Sequence, residues 1–141
     1  MEERFKEIAA RVNEKNHFLE NCSLRILDMK ENYVLASMDA KEDTLNPYGM
    51  VHGGALFTLA DMAAGICALT NGPDVVTLDS SMNFIRAARP GKLYATAKTM
   101  HAGKSTGVYQ VEIYDDQNKL LAAALFTMYF FRTQKPHVPH A

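Results

Sequence analysis

The sequence has little cysteine, no long apolar run and no excess of either charge, and each shortage removes a class of protein. Its two cysteines, Cys22 and Cys67, stand far apart and outside any CxxC pair. Neither a disulfide framework nor a zinc site is therefore indicated, and a reducing, cytoplasmic compartment fits best. No stretch reaches the ~18 consecutive apolar residues a membrane-spanning helix needs, and residues 1–11 are strongly charged. Neither a signal peptide nor a membrane anchor is expected. Fifteen Lys plus Arg against 16 Asp plus Glu leave a net charge of -1, without the basic surface that nucleic-acid binders usually present.

What is present suits one domain. The chain has 141 residues, 48% of them hydrophobic, and a chain of this size should bury about 68% of its surface on folding. Phe5, Ile8, Ala9 and Val12 fall at helical spacing between charges, so residues 1–16 read as an amphipathic helix covering one side of the body. Two short strands follow at 23–30 and 33–38, then an irregular loop at 41–50. Residues 54–70, GALFTLADMAAGICALT, form a helix closed by Asn71-Gly72-Pro73. Between Ala55 and Leu69 only Thr58 and Asp61 are polar, which describes a buried helix that something must wrap.

Residues 75–85, 93–102, 106–114 and 120–131 supply the wrapping, as strands rich in β-branched and aromatic residues separated by turn sequences. Short connections favour antiparallel neighbours. The expected fold class is α+β, a curved antiparallel sheet wrapped around one long central helix, in a single domain over residues 1–132. Residues 133–141, with two prolines, are expected to form a flexible tail.

Charge is unevenly distributed. Residues 80–111 hold five basic side chains (Arg86, Arg89, Lys92, Lys98, Lys104) and no acid, whereas residues 1–79 hold 7 basic and 13 acidic ones, a balance of -6. Such a tract suits a phosphorylated small ligand, and also the solvated face of a strand.

Asp61 stands out, because a carboxylate amid an apolar helix carries a desolvation cost and an upward push on its pKa unless a partner offsets it. A raised carboxylate pKa suits a general base; a wet helix stripe or a loop hydrogen bond is the plainer explanation. His52, Gly53 and Gly54 precede the helix, where free backbone N–H groups and the helix dipole can hold a phosphate or an oxyanion. A tight loop-to-helix turn would use the same glycines. Gly53 and Asp61 are eight residues apart, roughly 12 Å along one helix, so one carbonyl cannot touch both. If they cooperate, the aspartate of one chain meets the glycine of another across a two-fold axis, with two equivalent sites per dimer.

The run 46–61, NPYGMVHGGALFTLAD, continued by 76–91, VTLDSSMNFIRAARPG, and 101–113, HAGKSTGVYQVEI, closely resembles hotdog-fold acyl-CoA thioesterases, and most closely their phenylacetyl-CoA thioesterase-like subfamily. The resemblance covers roughly residues 44–131 and implies the fold read above. It implies that Asp61 is the catalytic carboxylate, as general base or nucleophile, and that Gly53 donates its N–H to the thioester carbonyl. Asn46 and His52 match positions that orient water, the carbonyl or the loop; Gly54 matches a glycine needed for close helix packing. Thr77 stands where related enzymes carry a hydroxyl holding the attacking water. Hydrolysis of an acyl-CoA with aryl-acetyl, benzoyl-type or short to medium acyl groups needs neither metal nor organic cofactor. Arg86, Arg89, Lys92 and Lys104 are the candidates for the coenzyme A phosphates. The expected assembly is a homodimer with shared sites, with a homotetramer, a dimer of dimers, as the alternative. Met50, Phe57, Met62 and Met82 are candidates for the acyl pocket and equally for plain core.

Competing chemistries fit less well. Gly103-Lys104-Ser105 lacks the earlier glycine and the following helix of a P-loop, no GxSxG elbow exists, and Cys67 sits among apolar neighbours as an inert thiol would. His17 and His101 have no evident partners, and His137 and His140 fall in the tail. An enoyl-CoA hydratase would resemble D-x-N-P-x-H, whereas Asp43 and His52 sit at other offsets from Asn46. A non-catalytic hotdog module that binds acyl-CoA would have no need of Asp61.

Overall fold

Phe5 and Ala9 are buried on one face of helix α1 (Glu3–Lys15) in the computed structural model of the protein, whose described residues are 1–132. The expected tail falls outside them. A short helix absent from the sequence reading, α2 (His17–Asn21), follows; Asn16 caps it by accepting from the Leu19 N–H at 3.3 Å. Five residues are too few to show a 3.6 period, which is why only the capping residue signalled it.

The strands are β1 (Leu24–Lys30), β2 (Tyr33–Ala40), β3 (Asp74–Phe84), β4 (Gly91–Ala102), β5 (Thr106–Tyr114) and β6 (Leu120–Phe131). They form one antiparallel sheet in the order β1-β2-β4-β5-β6-β3. One connection departs from the expectation that short links join neighbours. Residues 85–90 carry the chain from β3, on the far edge, to β4, which pairs with β2 and β5. Strand β3 pairs with β6 instead, interrupted by a bulge between Thr77 and Asp79.

Helix α3 (Gly53–Ala68) lies against β2, β4 and β5 and begins one residue earlier than its sequence suggests. Its buried side carries Leu56, Leu59, Ala60, Ala63, Ala64 and Cys67; the alanines let the backbone approach the sheet closely. The opposite side is not sealed. Gly54, Phe57, Thr58, Asp61, Gly65 and Leu69 form a half-open stripe at helical spacing. Past the C-terminus of α3, Asn71 fixes the helix to the sheet: its Oδ1 accepts from the Tyr109 hydroxyl (2.7 Å) and the Thr99 hydroxyl (3.0 Å), and its Nδ2 donates to Asn32 Oδ1 (2.7 Å). These bonds set where the stripe points. Among the described residues no helix is long and apolar enough to cross a membrane.

Candidate functional site

The loop before α3 is organised by Asn46. Its Oδ1 accepts from the N–H groups of Tyr48 (2.9 Å) and Met50 (3.1 Å), and its backbone N–H donates to the Met50 carbonyl at 2.7 Å. This is Asx-turn chemistry, which leaves the Asn46 side-chain NH2 available as a donor. His52 is the N-cap of α3, and its Nδ1 accepts from the Gly54 N–H at 2.9 Å. A Cβ added at Gly54 would lie 3.2 Å from that nitrogen, so a glycine there lets the imidazole fold over the helix end. His52 therefore needs an unprotonated Nδ1. The His52 carbonyl accepts from Ala55 (2.9 Å) and Leu56 (3.2 Å). The Gly53 N–H, the first of the helix, has no acceptor among the described residues. A Cβ added at Gly53 would meet the Phe84 ring at an ordinary 3.5 Å, so packing within the chain does not demand glycine there. Asn46, Gly53, Phe84 and Arg86 line one cleft.

Asp61 opens onto a second cleft, of about 300 Å³, on the C-terminal half of the α3 stripe. It is half-buried rather than enclosed, as a residue on a wet stripe of the helix would be. The Thr77 hydroxyl donates to Asp61 Oδ1 at 2.7 Å. Met128 Sδ lies 3.5 Å from the same hydroxyl, a neighbour that nothing in the sequence singled out. Val12, Asn16, Met62 and Gly65 also line this cleft. Within one chain, then, Asp61 and Thr77 are hydrogen-bonded, Asn46 and Gly53 line one cleft, and the two pairs open onto different clefts.

Arg86, Arg89 and Lys92 converge on a third hollow beyond the N-terminal end of α3. The Val51 N–H donates to the Ala88 carbonyl at 2.8 Å, tying the 85–90 connection to the loop before the helix. Two features differ from the sequence reading. Lys104 is not among these cations: it lies in the β4–β5 turn, and β4 has 12 residues, so its ends are roughly 36 Å apart along the strand. The acid-free tract is not acid-free in space, because Asp115 and Asp116 of the β5–β6 turn line the same hollow. The Asp115 carboxylate is held in its turn, accepting from the N–H groups of Gln117 and Lys119, each at 2.9 Å. Lys92 approaches Asp39 at a long 3.9 Å in partly exposed surroundings, a pairing worth little.

Burial pushes the Cys67 thiol up to about 11, which keeps it protonated and rules out a thiolate nucleophile at neutral pH. Met50 and Phe84 share the Gly53 cleft and Met62 the Asp61 cleft, whereas Met82 packs against the core and Phe57 against Phe126, ring centroids 5.6 Å apart.

The description "Thioesterase superfamily" belongs to the family model that matches residues 48–122. The acyl-coenzyme A thioesterase PaaI of Escherichia coli is 37% identical over 98 residues, 69% of this chain and 70% of that one. Its solved structure superposes with a TM-score of 0.86 over 91% of this chain and 94% of that one, at 29% identity across the longer alignment. A putative esterase of Archaeoglobus fulgidus is 38% identical over 74% of this chain and 69% of its own. A hypothetical thioesterase of Streptococcus pneumoniae, solved with coenzyme A, superposes with a TM-score of 0.74 at 32% identity, over 79% of this chain and 91% of that one. With a family model spanning more than half of the chain and relatives this similar, the chain belongs to the thioesterase superfamily, as a hotdog-fold acyl-CoA thioesterase of the PaaI type.

Proposed function

We propose that the protein hydrolyses aryl-acetyl, benzoyl-type or short to medium acyl-CoA thioesters at two equivalent sites, each shared between the protomers of a homodimer. The observation that carries this reading is the 2.7 Å hydrogen bond from Thr77 to Asp61 in a cleft whose lining is mostly apolar, with Asn16 and Asp74 as its other polar members. It fixes one carboxylate oxygen and leaves Oδ2 without a partner among the described residues. A water held between Oδ2 and the lone pairs of the Thr77 hydroxyl gives its proton to Asp61 as its oxygen attacks the thioester carbon. The partner subunit's Gly53 supplies the unsatisfied N–H that receives the developing oxyanion, helped by the helix dipole behind it. Collapse expels the coenzyme A thiolate, which takes up the proton, leaving the free acid. The Streptococcus pneumoniae relative gives separate support: its solved forms include an Asp→Ala and a Thr→Ala variant at positions 16 apart, the separation of Asp61 and Thr77 here.

The dimer follows from two further features. Strand β3 is a sheet edge, paired among the described strands with β6 alone, and Val76, Leu78, Phe84 and Ile85 along and beside it are 50%, 58%, 55% and 54% exposed in the single chain. Edges of this kind are normally blunted or covered. Pairing β3 with its copy covers it and brings each Asp61 toward the other chain's helix start. Arg86, Arg89 and Lys92 then receive the coenzyme A phosphates at the mouth of the Gly53 cleft. Within one chain Lys104 lies at the other end of β4 from them.

Thr77→Val tests the reading. It keeps the shape and removes the hydrogen bond, and kcat for thiol release from an acyl-CoA panel should fall about 10- to 100-fold, the worth of one bond to a charged group. Thr77→Ser should recover most of the loss. Equal activity in all three proteins would remove Thr77 from the site.

A further inference from the structure

We infer that Gly65 sets the length of the acyl group this enzyme accepts, an inference that rests on the thioesterase reading of Asp61. Gly65 lies four residues past Asp61, one turn and ~6 Å along α3, on the same half-open stripe. Glycine in a helix interior is unfavourable relative to alanine, so its presence there asks for a reason. At other glycines the fold supplies one: an added Cβ would lie 2.5 Å from the Phe130 ring at Gly72, 2.7 Å from the Tyr109 hydroxyl at Gly107 and 3.2 Å from His52 at Gly54. At Gly65 it would meet nothing within 4 Å. Among the described residues the missing side chain serves no contact; it leaves space.

That space belongs to the Asp61 cleft. Asp61 and Thr77 stand at the reacting end, and Met62, Ile66, Leu69 and Val12 make most of the remaining lining apolar. An acyl group whose carbonyl reaches Asp61 can therefore lay its chain over Gly65 toward Leu69, with α1 as the facing wall. In the single chain the cleft measures about 300 Å³, which at ~30 Å³ per water-sized volume gives room for about ten heavy atoms before a second chain covers β3. An octanoyl or phenylacetyl group fits this size. Any side chain at position 65 would stand across its path.

The test measures kcat/KM for straight-chain acyl-CoAs from acetyl to dodecanoyl in the wild type, Gly65→Ala, Gly65→Leu and Val12→Phe. The ratio of octanoyl to acetyl turnover should fall about tenfold or more in Gly65→Leu, the discrimination that one or two methylenes command in an apolar pocket. Gly65→Ala should fall between it and the wild type, and Val12→Phe, narrowing the cleft from α1, should shift the ratio the same way. Gly65→Ala should also keep the native assembly and hold or raise Tm, by on the order of 2–4 °C, because helix propensity improves with no clash. A ratio unchanged in Gly65→Leu, or equal losses at every chain length, would overturn the inference while leaving the thioesterase reading intact. A lowered Tm or a lost dimer in Gly65→Ala would overturn it too, since the glycine would then serve close helix packing between subunits. No thiol release by the wild type from any acyl-CoA would overturn both.

Discussion

Asp61→Asn is expected to lower thiol release from acyl-CoA by about 10²–10⁴-fold, the contribution of a positioned general base. The substitution is close to isosteric. An asparagine side-chain oxygen can still accept the Thr77 hydroxyl that donates to Asp61 at 2.7 Å, so the cleft and the fold should survive. What disappears is the ability to take a proton from water. Coenzyme A binding should persist, because Arg86, Arg89 and Lys92 lie in a separate hollow. Asp61→Ala should be as inactive and should also leave the Thr77 hydroxyl with the Met128 sulfur, a weaker acceptor, as its partner among the described residues. Thiol release and coenzyme A titration on the same preparations separate the two effects. Wild-type turnover in both variants would show that the carboxylate does not act in the reaction.

A charge on the β3 edge should be nearly as damaging, although it touches no reacting atom. Leu78 is 58% exposed in the single chain and is the residue skipped by the register shift between Thr77 and Asp79. If the strand pairs with its own copy, Leu78→Arg places two cations near one two-fold axis in desolvated surroundings, which costs far more than the same change on an open surface. The variant should sediment as a monomer of 15.7 kDa and lose activity by about 10²-fold or more, because each site lacks its second chain. The Thr77–Asp61 pair lies within one chain, so a folded monomer keeps it and still fails to turn over. A dimeric, active Leu78→Arg protein would move the interface elsewhere.

The fold was largely legible because its strongest signals are local. The apolar run from Gly54 to Thr70 could only be a wrapped helix, and the strand segments from Val75 to Phe131 are marked by turn residues that need no partner to be recognised. The place of β3 was not legible, since turn chemistry reports which strands follow one another and not which strand closes the far edge. Helix α2 escaped because a single turn of helix has no period. Asp61 illustrates a subtler limit. Thr58, Asp61 and Gly65 recur at helical spacing, but small and apolar residues between them disguise the open stripe as part of a buried helix. The basic tract misled for the opposite reason: Asp115 and Asp116 are distant in sequence and adjacent in space. The pairing of Asp61 with Thr77 depends on the register of β3 against β6, which rests on contacts between distant segments. Gly53 and Asp61, by contrast, are separated by helix geometry alone, so their inability to serve one carbonyl within one chain followed from counting residues.

That separation allows a direct test of whether the sites are shared. Gly53→Pro removes the N–H that has no acceptor among the described residues, at the first helical position, where proline is tolerated best. It should lower kcat by about 10²–10³-fold as an oxyanion donor is lost. Asp61→Ala removes the carboxylate. Each homodimer is then inactive, but a heterodimer of the two variants contains one site with both groups intact and one with neither. Co-refolded in equal amounts, the mixture should regain about a quarter of wild-type activity, because half of the dimers are mixed and each has one working site of two. No recovery in verified heterodimers would place Gly53 and Asp61 outside any common site and contradict the shared-site mechanism.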